Sequence, residues 1–411
     1  MMKKGGFFKR TIRDVPLRGR TVLVRADYNV PLTEKGEIAD DFRIVSSLPT
    51  LHYLLDQGCR VIICSHLGRP DGKVDERYTL EMVAERLSKL LKHHVQFVPE
   101  CIGDTVIQAA KKLQPGRILL LENLRFHAGE EANDTQFARA LAENSQAEYF
   151  VQDGFGVVHR AHASTDAITQ FMPSVAGLLL EKEYLAIRST MDSPERPLVA
   201  VLGGAKISDK IAVIEKLVAI ADTIVVGGAM ANTFLKHQGH QIGASVHEDG
   251  LDSIVKKIYD AAAKKVGDDT VDDFIVLPSD VAVAPKIDPE IRRISVSVDD
   301  VANDEMILDI GPESIAAAVS AIAQAKTVIW NGTLGYAELP NFSYGSARVA
   351  LALAANPDIT SVIGGGDTAD FVLKWDAASG GSFSHVSTGG GASLDLMAGS
   401  SMPGIERLLD A

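Results

Sequence analysis

Leu198-Val199-Ala200-Val201-Leu202-Gly203-Gly204-Ala205-Lys206-Ile207-Ser208-Asp209-Lys210 decides the fold class. An apolar run reads as a strand, two glycines stop it, and a helical pattern opens directly afterwards, which is the strand–turn–helix unit of a parallel sheet. Short β-branched runs alternate with longer helical patterns along nearly the whole chain. Further strands are expected at Thr21–Arg25, Arg60–Ser65, Arg117–Leu121, Tyr149–Gln152, Thr223–Val226, Phe274–Leu277, Thr327–Trp330 and Ser361–Ile363. The expected class is α/β, with parallel sheets and crossover helices.

The residues just after these strands change character halfway along. In the second half they are glycine-rich: Gly203-Gly204-Ala205-Lys206, Gly227-Gly228, Asn331-Gly332, Gly364-Gly365-Gly366-Asp367 and Gly389-Gly390-Gly391. In the first half they carry charge: Arg25-Ala26-Asp27-Tyr28-Asn29, Ser65-His66-Leu67-Gly68-Arg69, Glu122-Asn123-Leu124-Arg125 and Asp153-Gly154-Phe155. Ligands of open α/β sheets sit beyond the carboxyl ends of the strands. Arginine forks and histidines suit a small, strongly anionic molecule. Glycine turns at helix starts suit a polyphosphate, because backbone N–H groups must come close to it. A small acid in one half and a nucleotide in the other point to phosphoryl transfer.

The chain of 411 residues suits two domains rather than one core. The polar, twice-prolyl Asp192-Ser193-Pro194-Glu195-Arg196-Pro197 follows an apolar, helical-looking run, Val175–Met191, and precedes a fresh strand, so the boundary is expected there. No apolar stretch reaches a membrane span, and no apolar signal core follows the basic Lys3, Lys4, Lys9 and Arg10. Cys59, Cys64 and Cys101 read as reduced, buried thiols of a cytoplasmic protein. A net charge of −13 argues against nucleic acid. Anionic ligands must then be drawn by local Arg, Lys and helix N-termini within a Debye length.

Gly203–Lys210 offers free N–H groups and two ammoniums to one anion, although the chain has no Gly-Lys-Ser/Thr and hence no Walker A loop. Gly364–Ala369 formally fits G-x-G-x-x-A, which leaves a dinucleotide-binding oxidoreductase open. Asp367, however, stands where a pyrophosphate would meet it, a place suited to a Mg²⁺ ligand. In the first half, Asp27, Asn29, Arg43, His66, Arg69, Arg125, Arg160 and His162 form a polar set at successive strand ends. His159-Arg160-Ala161-His162 lacks a third ligand for zinc, and no nucleophile elbow occurs.

At these residues the chain resembles phosphoglycerate kinase. Arg25–Pro31, Ser65–Pro70, Glu122–Phe126 and His159–Ser164 are similar to the family's acid-substrate motifs. Gly203–Lys206, Trp330–Gly332, Gly364–Thr368 and Ser387–Ala392 are similar to its nucleotide half, and the motifs keep the family's order from about Val22 to Leu396. The resemblance implies two Rossmann-like domains: residues 1–185 for phosphoglycerate, a helical hinge over 186–197, 198–390 for nucleotide, and a tail, 391–411, packing back on the first domain. It implies that Asp27, Tyr28, Asn29, Arg43, His66, Leu67, Gly68, Arg69, Arg125 and Arg160 hold 3-phosphoglycerate or 1,3-bisphosphoglycerate. Lys210, Glu338, Gly365, Gly366, Asp367 and Thr368 would hold ADP or ATP, with Asp367 on Mg²⁺, while Arg43 and Lys206 stabilise the phosphoryl group in transit. A cytoplasmic monomer is expected.

The chemistry agrees with this residue set. A carboxylate acceptor is already ionised, so no general base is needed, and catalysis reduces to in-line positioning and charge neutralisation. Closure of the domains would keep water from the acyl phosphate. The chain departs from the family's usual pattern at Thr333 (Pro), at Tyr336-Ala337 (a small aliphatic and Phe), at Val157-Val158 (Thr-Ala) and at Gly154 (Ala). An inactive paralogue kept as a ligand-binding or scaffold protein is the reading that the altered Thr333–Ala337 segment leaves open.

Overall fold

The computed structural model describes residues 6–411; Lys3 and Lys4 lie outside them. The chain divides into two compact units, one running to Leu185 and joined by Gly399–Ala411, the other Ala186–Ala398. The division falls inside a continuous helix, Leu178–Asp192.

The first unit is built on a six-stranded sheet of β1 (Thr21–Arg25), β2 (Arg60–Cys64), β3 (Val95–Val98), β4 (Ile118–Leu121), β5 (Tyr149–Gln152) and β6 (Ser174–Ala176). Its order is β3-β4-β2-β1-β5-β6 and every pair is parallel. Alternation along the strands sends Val22, Val24, Val61 and Ile63 to one face, where the helices Phe42–Asp56 and Glu81–Leu91 supply Ile44, Leu51, Val83 and Leu87. Leu23, Ile62, Leu119 and Phe150 face the other way, against Val106 and Ala110 of Asp104–Lys112 and Phe137 and Leu141 of Thr135–Ser145. Burial on both faces explains why these strands read as continuous apolar runs. The two ends of the chain meet on this unit: Lys9 Nζ donates to the Leu408 carbonyl (2.9 Å) and to Asp410 Oδ1 (2.6 Å), and Gly404 N donates to Val158 O (2.9 Å). The returning segment begins at Gly399; the helix Gly391–Ala398 is part of the second unit.

The second unit carries β7 (Leu198–Leu202), β8 (Thr223–Val226), β9 (Ile275–Val276), β10 (Asp280–Ala284), β11 (Ile294–Ser297), β12 (Met306–Ile310), β13 (Thr327–Asn331), β14 (Thr360–Gly364) and β15 (His385–Val386). Six of them form a parallel sheet ordered β15-β14-β13-β7-β8-β9, while β11-β10-β12 is a separate antiparallel sheet. The strand order reverses between β7 and β13, which opens a crevice at their carboxyl ends.

Four features correct the sequence reading. β3, β15 and the antiparallel sheet were not expected as strands. The run from Val175 was expected as helix throughout, yet Ser174–Ala176 pairs parallel to β5 before the helix starts at Leu178. Short apolar runs do not separate strand from helix by periodicity; here the open edge of β5 decides.

Candidate functional site

In the first unit, the turn after β1 lays Asp27 and Asn29 beside the turn after β2. Asp27 accepts from Arg43 Nη1 through Oδ2 and from the Asn29 N–H through Oδ1 (3.1 Å). Asn29 Oδ1 accepts from the Gly68 N–H (2.8 Å), and the Gly68 carbonyl accepts from Arg125 Nη1 (2.8 Å). Asp27, Asn29, Arg43, Gly68 and Arg125 thus form one chain of hydrogen bonds across three strand ends. Tyr28 and Leu67 turn their side chains into the core, so each serves the site only through the backbone it fixes. Asn123 holds the Leu67 turn, donating to the Leu67 carbonyl (2.7 Å). Arg69 and Arg160 are exposed, the latter donating to His159 Nε2 (3.1 Å).

Behind this row lies a buried ionic layer that the sequence reading missed. Arg25 is fully buried; its Nε donates to Ser164 Oγ (2.7 Å), Nη2 contacts His66 Nδ1 (3.2 Å), and Glu130 Oε1 lies 3.8 Å away. Guanidinium offers only donors, so His66 Nδ1 accepts and its proton sits on Nε2. Burial, with Arg25, Arg125 and Arg43 nearby, holds the His66 pKa well below its usual value against the pull of Asp27, so His66 is a neutral donor. Burial raises the Asp27 carboxyl, but Arg43 and Arg25 outweigh it and bring its pKa to about 2. Burial lowers the Arg125 pKa, and Arg25 and Arg160 add like-charge repulsion that Glu131 opposes. Crowded cations of this kind are relieved by an anion.

In the second unit the crevice between β7 and β13 is bridged by backbone: Gly203 N donates to Asn331 O (2.9 Å) and Gly204 N to Thr333 O (2.8 Å). A Cβ on Gly203 would collide with the Thr333 carbonyl and one on Gly332 with the Gly203 backbone, so the close approach demands glycine. Lys210 Nζ donates to Gly203 O (2.8 Å), and Gly332 N donates to Thr368 Oγ1 (2.6 Å). Gly365, at φ +89°, precedes the helix Gly366–Trp375, whose first turn bears Asp367 and N–H groups without intrahelical acceptors. The result is a polar cradle of about 280 Å³ lined by Lys206, Lys210, Asn331, Gly366, Asp367 and Thr368 among others. An apolar cavity of about 210 Å³, lined by Val281, Ile287, Met306, Leu308, Leu334 and Glu338 among others, shares Gly204, Ala205 and Asp367 with it.

Burial pushes the Lys210 ammonium down to about 8, against the opposing pull of Asp367 and Asp209. Lys206 is exposed on a turn pinned by Glu248, whose Oε2 accepts from Ile207 N (2.5 Å) and Ser208 N (3.1 Å). Both amide atoms of Asn331 are buried without a hydrogen-bond partner while its side chain lines the cradle. Orphaned buried polar atoms of this kind call for a ligand. Neither Glu248 nor the Asn331 side chain was picked out from sequence. The Asn331-Gly332 pair at a strand end was the available signal for the second; nothing local marks the first.

A family model described as phosphoglycerate kinase matches residues 12–400. The phosphoglycerate kinase of Pelotomaculum thermopropionicum is 47% identical over 403 residues, covering 98% of this chain and 99% of the relative. That of Chlorobium luteolum is 48% identical over 403 residues, covering 97% and 99%. Among solved structures, phosphoglycerate kinase from Coxiella burnetii superposes with a TM-score of 0.83 at 36% identity, covering 97% of this chain and 98% of that one.

Proposed function

The chain belongs to the phosphoglycerate kinase family and transfers a phosphoryl group reversibly between 1,3-bisphosphoglycerate and ADP, a step of glycolysis, and we propose that its two units divide these ligands between them. The first unit takes the phosphoglycerate. Asp27, Asn29 and the neutral Nε2–H of His66 address its hydroxyl and carboxyl oxygens. Arg69, Arg125 and Arg160 supply charge for its phosphate, and Gly68, with the Tyr28 and Leu67 backbone, shapes the turns around it.

The second unit takes the nucleotide. The observation that carries this reading is the polar cradle opening at Gly204 and Asp367 into an apolar cavity: phosphates fit the first and a flat base the second. Lys210, the N–H groups from Gly365 to Thr368 and Asn331 face the phosphates, and Glu338 borders the base cavity. Asp367 offers the hard carboxylate oxygen that would hold the Mg²⁺ of a Mg²⁺-nucleotide, which would neutralise phosphate charge.

Transfer breaks the bond from phosphorus to the acyl oxygen and forms one to the β-phosphate oxygen of ADP. The leaving carboxylate needs no proton, so the step requires no general base. Lys206 and Arg43 supply fixed positive charge to the equatorial oxygens as the group moves. Lys206 is poised for this by Glu248, which fixes its turn while leaving the ammonium exposed. The same reading makes the protein a cytoplasmic monomer, each subsite being assembled within one chain, and its net charge of −13 disfavours nucleic acid and anionic membrane as partners.

A coupled assay with 3-phosphoglycerate and Mg²⁺-ATP tests the reading. Robust ADP formation that requires both substrates and Mg²⁺ is expected. Binding of both ligands without turnover would support the inactive-paralogue alternative, and tight binding of NAD in place of ADP would support the oxidoreductase.

A further inference from the structure

We infer that the buried Arg293–Asp309 pair is a positioning device for the nucleotide loop Gly332–Glu338, setting ADP affinity without contacting the phosphates. The inference rests on the nucleotide reading of the second unit. Asp309 is 1% exposed at the end of β12, and it lines the apolar cavity. Its Oδ1 accepts from the Ile310 N–H (2.9 Å), and its Oδ2 accepts from the Gly345 N–H (3.1 Å) and from Arg293 Nη1 (2.7 Å). Arg293 in turn donates to Ile310 O through Nη2 (2.6 Å) and to Asn341 O (3.3 Å), with its guanidinium 4.9 Å from the Tyr344 ring centre. One charge pair therefore joins the segment before β11, the end of β12, the turn at Asn341 and the start of the helix Tyr344–Ala354.

The nucleotide loop is seated on this assembly. A Cβ on Gly335 would run into Asp309 Oδ1, and so would one on Gly345, so the carboxylate sets how close loop and helix come. Tyr336 N donates to Leu308 O (2.7 Å), one residue before Asp309, and Leu334 N donates to Ser346 Oγ (2.9 Å), one residue after Gly345. Thr333, Leu334, Gly335, Tyr336 and Glu338 all line the cavity. Moving the pair moves that wall.

Asp280 provides an internal comparison. It is a buried carboxylate on the neighbouring strand, but it caps the helix Pro312–Gln324, accepting from Ser314 N (2.8 Å) and Ser314 Oγ (2.7 Å). Among the described residues it makes no hydrogen bond to the loop, so weakening it changes stability alone.

The test is calorimetric titration with Mg²⁺-ADP and, separately, 3-phosphoglycerate, alongside thermal unfolding. Arg293→Met should weaken ADP binding by about 10-fold, the scale on which residues that orient ligand-binding groups act, and leave 3-phosphoglycerate binding unchanged. Arg293→Lys should restore part of the loss, because lysine keeps one charged donor. Ser314→Ala should lower the melting temperature without altering either affinity. A folded Arg293→Met protein whose ADP affinity stays within about twofold of the native value would overturn the inference. Where Arg293→Met does not fold, Gly335→Ala keeps the pair and displaces the loop; it should weaken ADP binding alone, and unchanged affinity there overturns the inference equally. A native protein that binds no ADP would remove the nucleotide site itself, an outcome separable from the others because it precedes any substitution.

Discussion

Replacing Lys210 by methionine should make the ligand-free protein more stable while crippling nucleotide binding. Lowering an ammonium pKa from its ordinary 10.5 to about 8 costs roughly 3 kcal/mol at neutral pH, because the charged form is disfavoured in the fold. Methionine removes that cost and fills similar space, but it leaves Gly203 O without the ammonium donor, a loss of about 1 kcal/mol. The net expectation is a gain of about 1–2 kcal/mol for the free protein at pH 7. The pH dependence follows from the direction of the shift. Between about pH 8 and 10.5 the unfolded chain binds more protons at Lys210 than the folded one, so native stability rises with pH relative to the variant. The gap between the two proteins should therefore be constant below pH 8, close as pH rises above it, and reverse in favour of the native protein before pH 10.5. Differential scanning calorimetry across pH 7–10 would measure it, and titration with Mg²⁺-ADP should show affinity reduced by about 10-fold or more. A variant that is less stable than native at pH 7 by a pH-independent amount would refute the reasoning, since Lys210 would then be a structural donor and not a desolvated charge awaiting phosphate.

Lys206→Met should lower kcat by about 10²–10³ with much smaller changes in KM, because the group acts on charge present in the transition state; steady-state kinetics with an unchanged kcat would remove it from the mechanism. Arg69→Ala and Arg125→Ala should each weaken 3-phosphoglycerate binding by about 1.5–3 kcal/mol and spare ADP, and equal losses for both ligands in calorimetry would assign them to the fold. Asp27→Asn should cost roughly 2 kcal/mol at pH 7, because a folded carboxyl held near 2 contributes stability above its ordinary 3.8. That stability is lost as pH falls through the folded value, so denaturation of native and variant proteins should converge between about pH 4 and 2. Thr333→Pro should preserve or tighten ADP binding: among the described residues the Thr333 N–H has no acceptor, while its carbonyl, which proline keeps, accepts from Gly204 N. A large loss of affinity would show that the loop's shape excludes proline.

Most strands were legible because each is a short run of apolar, β-branched residues whose neighbours in sequence stop it. Leu198–Leu202, followed by Gly203-Gly204, is readable without knowing what lies beside it. The exceptions are informative. Ile294–Ser297 is largely exposed, and Val95–Val98 is four residues long, so neither carries a strong pattern of its own. Both are strands because β10 and β4 offer them partners. Ser174–Ala176 likewise owes its state to the edge of β5.

The sequence by itself determined the two α/β halves and the chemical character of their strand ends, charged in one and glycine-rich in the other, because local propensity and side-chain type are properties of neighbours in the chain. Tertiary structure decided what those residues became. It set the strand order that opens a crevice between β7 and β13, and it placed Glu130 behind Arg25 and Arg25 behind His66. It turned Tyr28 and Leu67 into the core, and it brought Glu248 to the Lys206 turn across a sequence separation of 40 residues. Arginine, lysine and aspartate have ordinary proton affinities as residue types. The lowered Lys210 value arises from burial, against the pull of Asp367 and Asp209, and the lowered Asp27 value from Arg43 and Arg25, whose charges outweigh burial; the fold alone brings these influences within reach.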